Sequence, residues 1–95
     1  MKRELYLMHA EICKTFSNAT RLEILNLLRN GELTVSDLVK KTGASQVNVS
    51  QHLSIMKGKG ILISRREGAN IYYRIANPKI VKAFDIIREV LNEMK

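Results

Sequence analysis

The 95-residue sequence has a single cysteine, a single proline and only nine acidic residues. One thiol, Cys13, excludes an internal disulfide framework and an all-cysteine zinc site within one chain. Pro78 is the only proline, and no internal repeat, low-complexity stretch or linker interrupts the chain; the five glycines punctuate short elements. No apolar run approaches the roughly 18 residues that cross a bilayer, and the opening Met1-Lys2-Arg3-Glu4 lacks a secretory apolar region. The expectation is a cytoplasmic protein with no membrane partner. Nothing resembles a phosphate-cradling glycine loop, a nucleophile with a positioned base, or paired carboxylates, so a non-enzyme with no cofactor is expected.

What is present is apolar sequence and positive charge. At 45% hydrophobic residues, the composition fits one domain over residues 1–95. Surface scaling gives roughly 5,500 Å² exposed after folding and about 65% of the surface buried, enough for a modest core. Sixteen Lys and Arg leave a net charge of +7 and a pI near 9.9. That balance favours a polyanionic partner, nucleic acid before an anionic membrane. The charge is spread evenly rather than gathered in a tail.

Leu5, Met8, Ile12 and Phe16 follow helical spacing, with Tyr6, Ala10 and Cys13 widening the stripe. Ser17 or Asn18 can cap a second helix, apolar on most sides and therefore central, that stops at Asn30-Gly31. Thr34 or Ser36 caps a short third helix ended by Gly43. After Ala44, Ser45 caps a fourth, from Gln46 to about residue 57. Two short helices joined around a glycine form a helix-turn-helix pattern. Residues 61–66 and 71–75 read as a hairpin with the four-residue connection Glu67-Gly68-Ala69-Asn70. Asn77-Pro78 opens a last helix reaching Met94. The predicted fold is mainly α with a small β-hairpin wing, in the order ααααββα: a winged helix-turn-helix.

In the fourth helix Val49, Leu53 and Met56 mark the buried side, so Val47, Ser50, Gln51 and Ser54 point away from the core. Small and amide side chains suit a DNA groove better than plain solvation, where Lys and Glu are expected. Gln46 and Gln51 can pair bidentately with adenine, Ser50 with a base or phosphate, and Val47 with a thymine methyl. Ser45, Asn48 and the helix amides complete the candidate surface. Arg65, Arg66 and Asn70 lie at the wing tip, where minor-groove or phosphate contact is expected. His52 is read as a hydrogen-bonding framework residue beside that surface. A protein-interaction module and a nonspecific nucleoid-type protein are the alternatives; the outward glutamines favour specific readout over both.

Four stretches carry a family resemblance. They are Phe16-Ser17-Asn18-Ala19-Thr20-Arg21-Leu22-Glu23-Ile24-Leu25, Ser45-Gln46-Val47-Asn48-Val49-Ser50-Gln51-His52-Leu53, Gly60-Ile61-Leu62, and Arg65-Arg66-Glu67-Gly68 followed by Ile71-Tyr72-Tyr73-Arg74. In that order they resemble the ArsR/SmtB family of bacterial and archaeal winged-helix repressors. The resemblance implies a homodimer that binds an imperfect inverted repeat in double-stranded DNA and releases it when an inducer binds. It does not extend to the family's metal sites. Where the family's thiol site has Glu-Leu-Cys-Val-Cys, this chain has Glu32-Leu33-Thr34-Val35-Ser36. At the last-helix zinc site stand Asn77, Lys79, Val90 and Glu93, one carboxylate in place of four ligands.

His9 and Cys13 stand at i and i+4, a spacing that can chelate a soft metal if two pairs meet at a dimer axis. The competing reading makes Cys13 a small buried hydrophobe and His9 an ordinary polar residue. Ile80, Phe84, Ile87, Leu91 and Met94 form a heptad-like stripe, and Leu5, Met8 and Ile12 an equivalent one on the first helix. That is more apolar surface than edge helices bury alone, so the terminal helices are expected to pair about a two-fold axis.

Overall fold

The computed structural model describes all residues from Met1 to Lys95. Helices α1 (Arg3–Thr15) and α2 (Ala19–Leu27) come first, and a 3-10 turn, Leu28–Asn30, extends α2. Strand β1 (Leu33–Thr34), helices α3 (Val35–Thr42) and α4 (Gln46–Gly58), strands β2 (Leu62–Glu67) and β3 (Asn70–Ile75), and helix α5 (Lys79–Glu93) follow. Local chemistry sets the helix starts. The Asn18 side chain accepts from the Arg21 amide and the Ser45 hydroxyl from the Asn48 amide. Thr34 and Asp37 exchange bonds in a capping box. The Asn77 side-chain Oδ1 accepts from the Lys79 amide at 3.0 Å, holding Pro78 at the entry to α5. Gly43, at φ +74°, ends α3 in a left-handed conformation that a side chain would strain.

Two features differ from the sequence expectation. The hairpin is one pair tighter: Glu67 faces Asn70, leaving only Gly68 and Ala69 as the turn. Gly68 has φ +62° and Ala69 a negative φ, the pattern of a type II′ turn, whose twist matches the flanking strands. The sheet also has three strands in the order β1-β3-β2, because Leu33 and Thr34 pair antiparallel with Tyr73 and Tyr72. A two-residue strand has no periodicity of its own, so only its partner reveals it.

One apolar cluster holds these elements together. Ile24, Leu25 and Leu28 meet Leu38 from α3 and Val49, Leu53 and Met56 from α4, with Phe16, Ile61 and Leu62 closing it. Each such side chain contributes about 1.5–3 kcal/mol through removal from water. The terminal helices stand outside this arrangement. Helix α5 has no fully buried residue, and α1 only Thr15. The chain exposes 6831 Å², well above the roughly 5,500 Å² expected of a folded monomer this size. Its radius of gyration, 14.2 Å, likewise exceeds the about 12.4 Å of a compact chain. No helix is long and apolar enough to cross a membrane.

Candidate nucleic-acid interface

Helix α4 is held by its inner side and bare on its outer one. Val49, Leu53 and Met56 are completely buried at helical spacing, whereas Gln46, Val47, Asn48, Ser50, Gln51 and Ser54 are exposed, Val47 at 75%. The outward residues read from the sequence of this helix are therefore all open to solvent. The helix contains no acidic residue, and its first turn leaves backbone amides free to meet an anion. Ser45 uses its oxygen to cap the helix (3.1 Å to the Asn48 amide) and retains its hydroxyl proton to donate. His52 is half-buried and accepts at Nδ1 from Arg21 Nε at 3.1 Å, the framework bond expected of it. Burial, and then the Arg21 charge, hold its imidazole below the ordinary range.

The wing separates its two arginines. Strand alternation places Arg65 opposite Tyr72 and Arg66 opposite Ile71, on different sides of the sheet. Arg65 is engaged three times. It donates Nε and Nη2 to Glu32 (2.7 and 2.8 Å) and Nη1 to Glu67 (2.7 Å), and its guanidinium lies 4.7 Å from the centre of the Tyr72 ring. The bonds to Glu32 and Glu67 hold Arg65 more firmly protonated, and the same fork draws Glu32 below the usual carboxylate range. Arg65 thus ties the wing to the segment before β1. Arg66 is exposed and takes part in no ion pair. Beside it, the wing tip and the helix-turn-helix border a groove of about 250 Å³ lined by Thr34, Ser36, Gln46, Ala69, Asn70 and Ile71. The groove brings Gln46 and Asn70 together. Glu32 and Arg21 were not singled out from sequence as parts of this site, because their partners Arg65 and His52 are distant in the chain.

A surface-reading helix beside a wing has relatives among known proteins. Residues 18–64 match the family described as "Bacterial regulatory protein, arsR family". The transcriptional repressor PagR of Bacillus anthracis is 42% identical over 72 residues, covering 75% of this chain and 72% of PagR. The chain belongs to the arsR family. The HTH-type transcriptional regulator Rv0324 of Mycobacterium tuberculosis is 36% identical over 84 residues; these cover 88% of this chain but 37% of Rv0324, a longer protein. Among solved structures, the homodimeric winged helix-turn-helix DNA-binding domain Mb0332 from Mycobacterium bovis superposes with a TM-score of 0.81 at 34% identity. It covers 98% of this chain and 88% of the domain, and is described as a possible ArsR-family transcriptional regulator.

At the ArsR-family thiol site, Thr34 spends its hydroxyl oxygen on the Asp37 amide, at 3.1 Å, and its own amide on Asp37 Oδ2, at 2.9 Å. No three His, Cys, Asp or Glu side chains anywhere gather as a metal site would require. Cys13 corrects one sequence reading. It is exposed, together with His9, on the outer side of α1, so it is not a buried hydrophobe within this chain. The apolar stripes divide as well. Ile12, Ile80 and Phe84 pack against the chain's own core, with Phe84 edge-on to Phe16 at 4.7 Å. Leu5, Met8, Ile87, Leu91 and Met94 remain exposed, joined by Tyr6, Leu7, Ile86 and Val90.

Proposed function

We propose that this ArsR-family chain is a sequence-specific transcriptional repressor that acts as a homodimer on an inverted-repeat operator. The observation that carries the reading is the outer side of α4: exposed, free of acidic residues, rich in amides and hydroxyls, and bordered by the wing tip. Gln46 and Gln51 read adenines, Val47 a thymine methyl, and Ser50 a base edge or phosphate. Ser45 and Asn48 contact the backbone near the helix start, Ser54 contacts it farther along the outer side, and Arg66 and Asn70 anchor the wing. Arg65, committed to Glu32 and Glu67, shapes the wing rather than neutralising phosphate.

Residues 1–95 serve in this reading as one DNA-binding and dimerisation unit without catalytic chemistry, working where the DNA is, in the cytoplasm. The homodimeric state described for Mb0332 extends to this chain through the exposed Leu5, Met8, Ile87, Leu91 and Met94. The roughly 1,300 Å² by which its surface exceeds that of a typical monomer is more than the about 800 Å² per partner of a standard interface. A two-fold axis then sets two α4 helices about one helical turn of DNA apart.

Selection from random duplex DNA tests the whole reading. Paired half-sites are expected, and Gln51→Ala or Gln46→Ala should cost about 1–3 kcal/mol and relax preference at particular positions. Equal retention on bulk DNA would make the chain a nonspecific binder, and no duplex binding at all would leave a protein-interaction module. With the family's two metal sites replaced, zinc, cadmium or arsenite should leave the reduced operator complex intact. Release that vanishes in Cys13→Ser would make the exposed thiol the sensor; release that survives there would place a metal site elsewhere.

A further inference from the structure

The apolar contacts beneath α4 set how deeply it sits and which side faces inward, but they are non-directional and hold its fine angle less firmly than a hydrogen bond would. One contact has direction. Arg21, in the first turn of α2, donates Nε to Nδ1 of His52 at 3.1 Å and an outer nitrogen to the Thr15 carbonyl at 2.9 Å. Its backbone amide is itself held by Asn18 at 3.1 Å. A single planar guanidinium thus joins the end of α1, the start of α2 and the middle of α4. It meets α4 at the residue between Gln51, on the exposed surface, and Leu53, in the core.

We infer that Arg21 and His52 are positioning residues that hold α4 at its reading angle, and that they do so only while His52 is neutral. The inference rests on α4 being the DNA-reading helix. The chemistry is one of proton count. An Nδ1 that accepts a bond carries no proton, and a proton placed there turns the acceptor into a donor facing a cation. Burial opposes a proton on His52, and the Arg21 charge opposes it in the same direction. The folded chain therefore binds that proton less readily than the unfolded chain. The stability contributed by the neutral pair is complete above the ordinary imidazole value and is lost below it, as pH falls through the lowered value of the folded chain. Acidification also makes the protein more positive, which strengthens nonspecific DNA binding. The two effects run in opposite directions and can be separated.

The experiment measures the preference for the selected operator over bulk DNA between about pH 8 and about pH 5.5. Wild type and His52→Gln are compared; the glutamine oxygen can accept from Arg21 at any pH. Wild type should lose about fivefold in preference on acidification, the value of one modest hydrogen bond, while its bulk-DNA affinity holds or rises. His52→Gln should stay flat. Ring-nitrogen NMR of the free wild-type protein supplies a second readout without DNA or mutation: an unprotonated Nδ1 at neutral pH and a titration midpoint for His52 below the ordinary imidazole value. Parallel pH profiles for wild type and His52→Gln, or a protonated Nδ1 at neutral pH, would overturn the inference. Should His52→Gln not fold, Arg21→Lys, which loses the planar fork, must lower operator preference at neutral pH; unchanged preference would overturn it equally. No operator preference in wild type at any pH would instead sink the reading of α4 itself.

Discussion

Along α4 three side chains are shut completely from solvent, whereas the fifteen residues of α5 include none that is. The two helices are similar in length and both carry apolar residues at helical spacing, yet only α4 uses its stripe inside the chain. Val49, Leu53 and Met56 close a core with Leu38 and Ile24. In α5, Ile80 and Phe84 lean on that core while Ile86, Ile87, Val90 and Leu91 are half or more exposed. Hydrophobic patterning thus identifies surface that must be buried, without saying by which chain. The helix-turn-helix is complete within one chain; the terminal helices leave apolar surface uncovered, which the proposed dimer would bury.

This contrast can be broken most forcefully at Leu53. Leu53→Ala should destabilise the chain by about 2–5 kcal/mol, because the packed surroundings cannot collapse onto the cavity. The loss, measured by denaturant unfolding, should not depend on protein concentration. Ile87→Asp, on α5, should leave helical circular dichroism intact yet weaken self-association by about 100-fold or more, since a lone carboxylate would be buried at the interface. Sedimentation equilibrium checks it, and unfolding of Ile87→Asp at every concentration would erase the distinction between the helices.

Smaller effects sharpen the comparison. Thr34→Ala removes one half of the capping box at the start of α3 and should cost about 1 kcal/mol without altering dimerisation. In the wing, Arg66→Ala should reduce the salt dependence of DNA binding by about 0.9 in log–log slope, one phosphate contact, while Arg65→Ala leaves the slope nearly unchanged. Equal slopes for the two variants would mean that Arg65 leaves its carboxylates on binding. Smallest of all, Glu11→Gln breaks the exposed bridge from α1 to Lys59 at 3.0 Å. It should move the melting temperature by less than about 2 °C, as exposed ion pairs contribute little.

Sequence alone determined whatever depends on near neighbours. Asn18, Thr34 and Ser45 each satisfy amides three residues on, and Val49, Leu53 and Met56 recur at the helical period, so both helices of the helix-turn-helix and the outward glutamines are legible in the order of residues. The alternation of Ile71, Tyr73 and Ile75 located the wing for the same reason, since dihedral preference and side-chain period are properties of a few consecutive residues. Only the tertiary structure decided what depends on distant ones. It added β1 to the sheet, through pairs nearly forty residues apart in the numbering. It gave Arg65 to Glu32 and Arg21 to His52, and it turned Ile80 and Phe84 inward while leaving Ile87 and Leu91 outside. No local pattern encodes these pairings, because each exists only once the whole chain has packed and brought its two members within reach.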